Sequence, residues 1–162
     1  MNTEFVMMLS QGAVCGGVRV ERIPGSTIVA VSLFRNRVFE CSRSEASSQF
    51  NQVAIDLPMA ANQAVVGAED LFLWLEVPQR TSNGSLKLVL DRRMFDGAFT
   101  SDDCDLSAWV TTTGVQTPNT AMSNRAKIGL YNRVSVLSRV TTSGTGVHTI
   151  EASATLLCRQ WR

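Results

Sequence analysis

The chain has few of the residues from which catalytic and metal centres are built. It contains one histidine, His148, and four cysteines that form no C-x-x-C pair. A Ser-His-Asp triad would have to use His148, and no G-x-S-x-G elbow is present to hold the serine. A lone histidine in a strand is more often structural or simply exposed than catalytic. We therefore expect no enzyme activity, no cofactor and no resident metal.

Phosphate-binding glycine motifs are absent as well. There is no Walker A pattern, and the glycines at positions 12, 16 and 17 do not follow a strand and open a helix. Acidic residues do cluster in one loop, as Asp96, Asp102, Asp103 and Asp105. Their spacing is not that of an EF-hand. We interpret them as solvated carboxylates or as an acidic patch at a subunit interface, with a calcium ion between subunits as the less favoured alternative.

The four cysteines, Cys15, Cys41, Cys104 and Cys158, are widely separated in the sequence. A disulfide-stabilised scaffold of this size would have a denser set. We expect reduced, mostly buried thiols, although three pairings are formally open and the sequence does not choose among them.

Long hydrophobic runs are also missing. No stretch approaches the roughly 20 apolar residues that span a membrane. The apolar run Phe5–Leu9 is short, Glu4 precedes it, and no lysine or arginine appears before Arg19, which is a poor pattern for a signal peptide. We expect a soluble protein that is not secreted and has no membrane partner.

Lysine is scarce, and positive charge is carried almost entirely by arginine. Only Lys87 and Lys127 are lysines among the fifteen basic residues, and fourteen acidic residues bring the net charge to +1. Without a basic tail, long-range attraction to nucleic acid is not encoded in bulk charge. Arginine suits bidentate pairing with carboxylates and phosphates, although a compositional bias would explain its abundance equally well.

Two long alternating segments near the end of the chain give the clearest structural signal. In 127–140 and 147–157, apolar residues alternate with polar ones, which is typical of strands with one buried and one solvated face. The segment T-T-S-G-T-G joins them, and its glycines favour a hairpin loop. We expect these two strands to pair with each other.

Similar patterns predict strands through most of the chain. Pro24-Gly25-Ser26 predicts a turn between two strands. The nearly continuous apolar segment Leu71–Val77 predicts a strand buried on both faces, with Trp74 in the core. Asn83-Gly84 predicts a tight hairpin after it. Only the alanine-rich segment 59–70 could hold a short helix.

These signals together predict an all-β fold, an antiparallel two-sheet sandwich of jelly-roll-like form. We expect residues 1–17 to form an N-terminal arm or edge segment and residues 18–162 to form one β-sandwich domain. The strands at Leu71–Val77 and 127–140 should be central because they are long and apolar.

The strand count, the spacing of the strands, the terminal run V-H-T-I-E-A-S-A-T-L-L and the loops rich in Thr, Ser, Asn and Gly resemble the single jelly-roll coat proteins of small icosahedral RNA viruses. The resemblance is architectural and covers most of the chain. It implies self-assembly of many copies into a shell around the genome, with genomic RNA as a partner, in the virion and in the host cytoplasm during assembly. Residues 1–18 contain no base, unlike the arginine-rich arm that many such proteins carry.

A second resemblance is local. The segment L-V-L-D-R-R-M at 88–94 is similar to the central motif of 30K-type plant-virus movement proteins, in which an apolar strand runs into an aspartate followed by bases. Asp91 would be the characteristic acid of that motif. A movement protein of this type is therefore the first alternative function, and a non-viral β-sandwich binding module is the second.

Several residues are candidates for contact with RNA or with neighbouring subunits. An aromatic side chain between two arginines at the chain end suits a subunit contact or base stacking, unless it folds back on the sheet. Arginines at strand positions that alternate away from the core, or that leave a strand together, suit the same roles. The predicted contact residues are Arg92, Arg93, Arg133, Arg139, Arg159, Trp161 and Arg162.

Overall fold

The computed structural model describes residues 13–15, 17–81, 83–93, 99–100, 105–116, 130–141 and 148–161. These residues form strands with one short α-helix. The strands are β1 (Ala13–Cys15), β2 (Val18–Arg22), β3 (Ile28–Cys41), β4 (Asn51–Asp56), β5 (Ala68–Arg80), β6 (Gly84–Arg93), β7 (Phe99–Thr100), β8 (Gly114–Gln116), β9 (Leu130–Val140) and β10 (His148–Gln160). The helix α1 is Met59–Val66, and Glu45–Ser47 form one 3-10 turn.

The strands form two antiparallel sheets that face each other. One sheet has six strands in the order β1-β2-β3-β10-β5-β8, and the other has four in the order β4-β9-β6-β7. The predicted all-β antiparallel sandwich is confirmed. Strands β5 and β9 are interior strands of their sheets, as the length and apolar content of their segments predicted. Strand β1 lies at the edge of the larger sheet, next to β2.

The last eight strands pair in a nested order. Strand β3 pairs with β10, β4 with β9, β5 with β8, and β6 with β7, and every pair is antiparallel. The chain therefore behaves like one long hairpin whose two arms are folded over together. The β3–β10 and β5–β8 pairs lie in the six-stranded sheet, and the β4–β9 and β6–β7 pairs lie in the four-stranded sheet.

The prediction that 127–140 and 147–157 form a hairpin is wrong. Strands β9 and β10 belong to different sheets, and β5 and β6, on either side of Asn83-Gly84, are likewise in different sheets. Alternation reports which face of a strand is buried, but it does not identify the neighbouring strand. In a sandwich, consecutive strands in opposite sheets bury their apolar faces against the same core, so they show the same alternation as a paired hairpin.

The turn at Pro24-Gly25-Ser26 is confirmed. Strands β2 and β3 pair on either side of it, and Ile23 N–H donates to the carbonyl of Ile28 at 2.9 Å. Gly25 has a φ of 71°, a left-handed conformation that glycine adopts without the steric cost of a Cβ atom.

The core lies between the sheets and is made of aliphatic side chains. Strand β10 contributes five almost fully buried residues at alternate positions, and β5 and β6 contribute leucines in the same way. The largest fully buried side chains include Leu73, Leu75, Leu86, Leu88, Leu90, Leu106, Ile150 and Leu156. Helix α1 follows Pro58 and packs Ala60, Ala61, Ala64 and Val65 into the same core.

The strands of the larger sheet contain bulges near the middle of β10. The register of β3 and of β5 against β10 shifts around residues 152–154, so that both flanking strands carry extra residues there. Pro78 lies in the shifted part of β5, and Asn36 in β3 has a φ of 47°. Bulges of this kind increase local twist and let a sheet curl around its core.

Candidate functional site

The predicted contact residues lie in several places on the molecule. Arg92 and Arg93 are in β6, in register with Thr100 and Phe99 of β7, and their side chains lie outside the described part of the structure. Arg162, Asp102 and Asp103 also lie outside the described residues. The other predicted residues can be placed, and the arginines among them have acidic partners within the chain.

Arg133 is held by a buried carboxylate. Its Nε donates to Oδ2 of Asp91 at 2.7 Å, and the hydroxyl of Ser135 donates to the same oxygen. Gln52 Nε2 in turn donates to the Ser135 hydroxyl at 2.8 Å. Asp91 is fully buried, whereas the Arg133 side chain is 21% exposed. The pair thus ties β6 to β9, and breaking it would leave an uncompensated buried charge.

This environment gives Asp91 a structural role. The acid that resembles the movement-protein motif is inside the sheet, and Ser135 and Arg133 occupy one of its oxygens. Within the described residues its other oxygen, Oδ1, has no hydrogen-bond partner. The local motif therefore has a structural explanation in this fold.

Arg139 packs on an aromatic ring. Its guanidinium carbon lies 3.9 Å from the centre of the Trp109 ring, and its NH2 group donates to Oε1 of Glu45 at 2.9 Å. A cation on the face of a tryptophan is attracted by the electron density of the ring. Trp109 is only half-buried and is stacked against this arginine.

Asp105 also has an internal partner. Its carboxylate accepts from Nζ of Lys87 at 2.8 Å, and its backbone bridges to Val89 of β6. This residue therefore fastens the segment after β7 to the smaller sheet. Among the residues that the structure describes, no group of histidine, cysteine or acidic side chains could hold a metal ion.

The end of the chain presents an exposed tryptophan. Arg159 pairs with Asp70 and, at 3.5 Å, with Glu69. Trp161 is 71% exposed and borders a shallow groove of about 390 Å³, which Thr27 also lines. Trp161 is therefore not folded back on the sheet, while the charge of Arg159 is matched within the chain.

The histidine and the described cysteines have structural surroundings. His148 is in register with Cys41, and its Nε2 atom is buried without a hydrogen-bond partner in the described part of the chain. Cys41 and Cys158 are buried thiols, as predicted. Burial raises the pKa of the Cys41 thiol, against a smaller lowering by hydrogen bonds, the first of them from the Ser85 backbone. The side chains of Cys15 and Cys104 are outside the described residues.

Sequence reasoning missed the outer face of the six-stranded sheet. Leu71–Val77 was expected to be buried on both sides, yet Trp74 is 42% exposed and Phe72 only half-buried. Leu73 and Leu75 point into the core, so Phe72 and Trp74 lie on the opposite face. The signal was present in the sequence, because this strand has large apolar residues at both odd- and even-numbered positions and therefore on both of its faces.

We define the Trp74 face as six residues that the register of β3, β10 and β5 places side by side on this outer surface. They are Ala30, Ser32, Phe72, Trp74, Thr155 and Leu157. The smaller sheet differs, because its outward-facing Ser135 and Val89 are buried.

Comparison with known proteins identifies no relative: no family model, no curated protein and no solved structure matches this chain. In the described ranges, none of the helical structure is long and apolar enough to cross a membrane. What the chain does is therefore inferred from its strand order and its surfaces.

Proposed function

We propose that this chain is a structural coat protein with a jelly-roll fold, many copies of which assemble into an icosahedral shell around a genome. The nested order of β3 to β10 carries the proposal. The first of these eight strands pairs with the last, the second pairs with the next to last, and so on inward, and successive pairs lie alternately in the two sheets. A long hairpin that is rolled up into two sheets has this strand order. Double-sheet jelly rolls of eight strands occur in viral capsid domains, and also in lectins and cupins.

The exposed apolar side chains support self-assembly of the chain rather than a monomeric state. Aromatic residues and methionine are enriched where proteins bind each other. Large apolar residues with substantial exposure occur on the larger sheet, on the helix, before β4 and at the chain end, and they include Val38, Phe50, Met59, Val66, Trp74, Val115 and Trp161. A shell subunit needs several contact surfaces because each copy touches several neighbours.

The packaged genome would meet only part of the arginine set. Arg133, Arg139 and Arg159 already have carboxylate partners within the chain. Arg92 and Arg93, next to each other at the end of β6, remain the better candidates for phosphate contact. With a net charge of +1, the protein would hold RNA through such local contacts rather than through its overall field.

The proposal is tested by the size of the purified protein. Gel filtration and negative-stain microscopy should show closed shells tens of nanometres across, and absorbance should show nucleic acid inside them. A protein that remains a small monomer or dimer under all conditions of salt, pH and added RNA would exclude a coat protein. It would favour the transport or binding-module alternatives.

A further inference from the structure

The Trp74 face has a bulky side and a small side. Strand β10 runs through its middle, with β5 on one flank and β3 on the other. Leu157 lies between Phe72 and Ala30, and in the next outward-facing row Thr155 lies between Trp74 and Ser32. Two aromatic side chains therefore form a ridge over β5, and two small side chains form a trough over β3.

The charged residues next to the ridge and the trough also differ between the two flanks: an acidic residue lies on the β5 side and a basic residue on the β3 side. Glu76 follows Trp74 on β5 and is in register with Ser153 of β10. On the β3 side, Asn36 N–H donates to the Ser153 hydroxyl at 2.8 Å, and Arg35 precedes it. Both Arg35 and Glu76 are exposed, and neither forms an ion pair within the described part of the chain. Two strand spacings, about 10 Å, separate their backbones.

We infer that a second copy of the chain packs on the Trp74 face, so that the six-stranded sheets of the two copies face each other. A two-fold axis that runs parallel to β10, between these two facing sheets, relates the copies. This inference rests on the proposed function only in taking another copy as the partner. A two-fold rotation about such an axis places β3 of one copy over β5 of the other at the same level. The ridge of each copy then fills the trough of its partner.

This arrangement places each bulky side chain opposite a small side chain of the partner, and each charged side chain opposite one of the opposite charge. Trp74 meets the partner's Ser32, Phe72 meets the partner's Ala30, and Glu76 meets the partner's Arg35. Every such contact occurs twice because the interface is isologous. Packed sheets keep their strand directions within about 30° of each other, so the correspondence is best over β10 and its two flanking strands, one of which carries Phe72 and Trp74.

The face is large enough for a stable contact and carries little net charge. Strands β3, β10 and β5 have 14, 13 and 13 residues, so the outer surface of the larger sheet is about 40 Å long at the Trp74 face, while β1, β2 and β8 extend it sideways with only three to five residues each. A standard interface buries about 800 Å² on each partner. Arg19 and Glu21, next to the trough, pair with each other at 2.9 Å. A surface with balanced charges and central aromatic residues fits another protein surface better than a polyanion.

Charge reversal at Arg35 and Glu76 tests the geometry directly. Arg35→Glu and Glu76→Arg should each weaken self-association by about tenfold, because each replaces two attractive pairs with two repulsive ones. The double variant Arg35→Glu/Glu76→Arg should restore the wild-type dissociation constant, measured by analytical ultracentrifugation. Weakening by each single variant without rescue in the double variant would overturn this pairing.

A second set of variants tests the ridge. Trp74→Glu should raise the dissociation constant about 30-fold or more, since a central tryptophan is commonly a hot spot. Gln63→Glu is the control matched in charge, because Gln63 is exposed on α1, away from this face, and it should leave association unchanged. Circular dichroism establishes that each variant is folded. If Trp74→Glu is unfolded, Thr155→Arg, beside it on the face, provides the same test.

The outcomes separate this inference from the coat-protein proposal. If wild-type protein forms shells and the Trp74, Thr155, Arg35 and Glu76 variants form them equally well, the inference fails and the coat-protein proposal stands. If wild-type protein forms only a dimer, and these variants weaken it as described, the inference stands and the coat-protein proposal fails. A wild-type protein that is monomeric at the highest attainable concentration overturns the inference.

Discussion

Gly84, at the start of β6, is required by its neighbours rather than by its backbone angles. Its φ is not in the left-handed region, but a Cβ atom there would lie 2.9 Å from the carbonyl oxygen of Thr149. That oxygen is held in place because it accepts the N–H of Thr81 at 2.9 Å. The corner between β5 and β6 therefore packs backbone against backbone where β10 begins.

Gly84→Ala should destabilise the protein by about 1–3 kcal/mol, the usual cost of forcing an extra carbon into a packed site. Urea unfolding followed by fluorescence would measure it. Gly25→Asn is the control, since Gly25 has open space around it and asparagine tolerates its left-handed φ. Equal stability of Gly84→Ala and wild type would show that the corner adjusts freely.

The Asp91–Arg133 pair makes a prediction about buried charge. Arg133→Met should cost about 3 kcal/mol or more, because Asp91 would remain buried without its counter-ion. The double variant Asp91→Leu/Arg133→Met should be clearly more stable than Arg133→Met alone, since no charge is then left in the sheet. Denaturant titrations of both variants give the comparison. Additive losses would contradict this account.

Cys41 links stability to alkaline pH. Burial raises its pKa above the ordinary value of 9.0, so the unfolded chain loses this proton at a lower pH than the folded chain. Between the unfolded and the folded pKa the native state binds more protons, and stability falls as pH rises. In reducing buffer, the decline of the urea midpoint above about pH 9 should be steeper for wild type than for Cys41→Ala. Parallel curves would contradict the shift.

At the scale of elements, the strands were predictable where the chain is regular. Strand β10 alternates without interruption, and Ile150, Ala152, Ala154, Leu156 and Cys158 are all buried as the pattern requires. Strand β3 does not alternate through its length, because its bulges against β10 change the phase between Ser32 and Arg37. A bulge is imposed by the curvature of the whole sheet, which no local pattern records.

The bulge in β3 also predicts which substitutions Asn36 tolerates. Its φ of 47° suits asparagine and glycine but not a β-branched residue. Asn36→Val should therefore cost about 1–2 kcal/mol in thermal or denaturant unfolding. Asn36→Gly should cost less, although it removes the contact between the amide oxygen and the Ser153 hydroxyl. A valine variant as stable as the glycine variant would show that the bulge relaxes.

At the scale of the whole molecule, strand pairing and surface contacts could not be predicted from the sequence. Tight-turn chemistry at Asn83-Gly84 indicated a hairpin, yet the chain crosses there from one sheet to the other. The arginines predicted to meet partners were correctly placed away from the core on β9, but their neighbours Asp91 and Glu45 come from distant parts of the chain. Contacts between such distant residues depend on the closed fold.

The internal pairing of Arg159 leads to a prediction about nucleic acid. Each phosphate contact that is lost lowers the dependence of log K on log salt by about one unit. Arg92→Ala/Arg93→Ala should therefore reduce the salt slope for binding single-stranded RNA by about two. Arg159→Ala is the matched control, because this arginine already pairs with Asp70 and Glu69, and its slope should equal that of wild type. Fluorescence anisotropy over a range of salt concentrations gives the slopes. A loss of slope in Arg159→Ala, with none in the double variant, would place the phosphate contacts at the chain end instead of at β6.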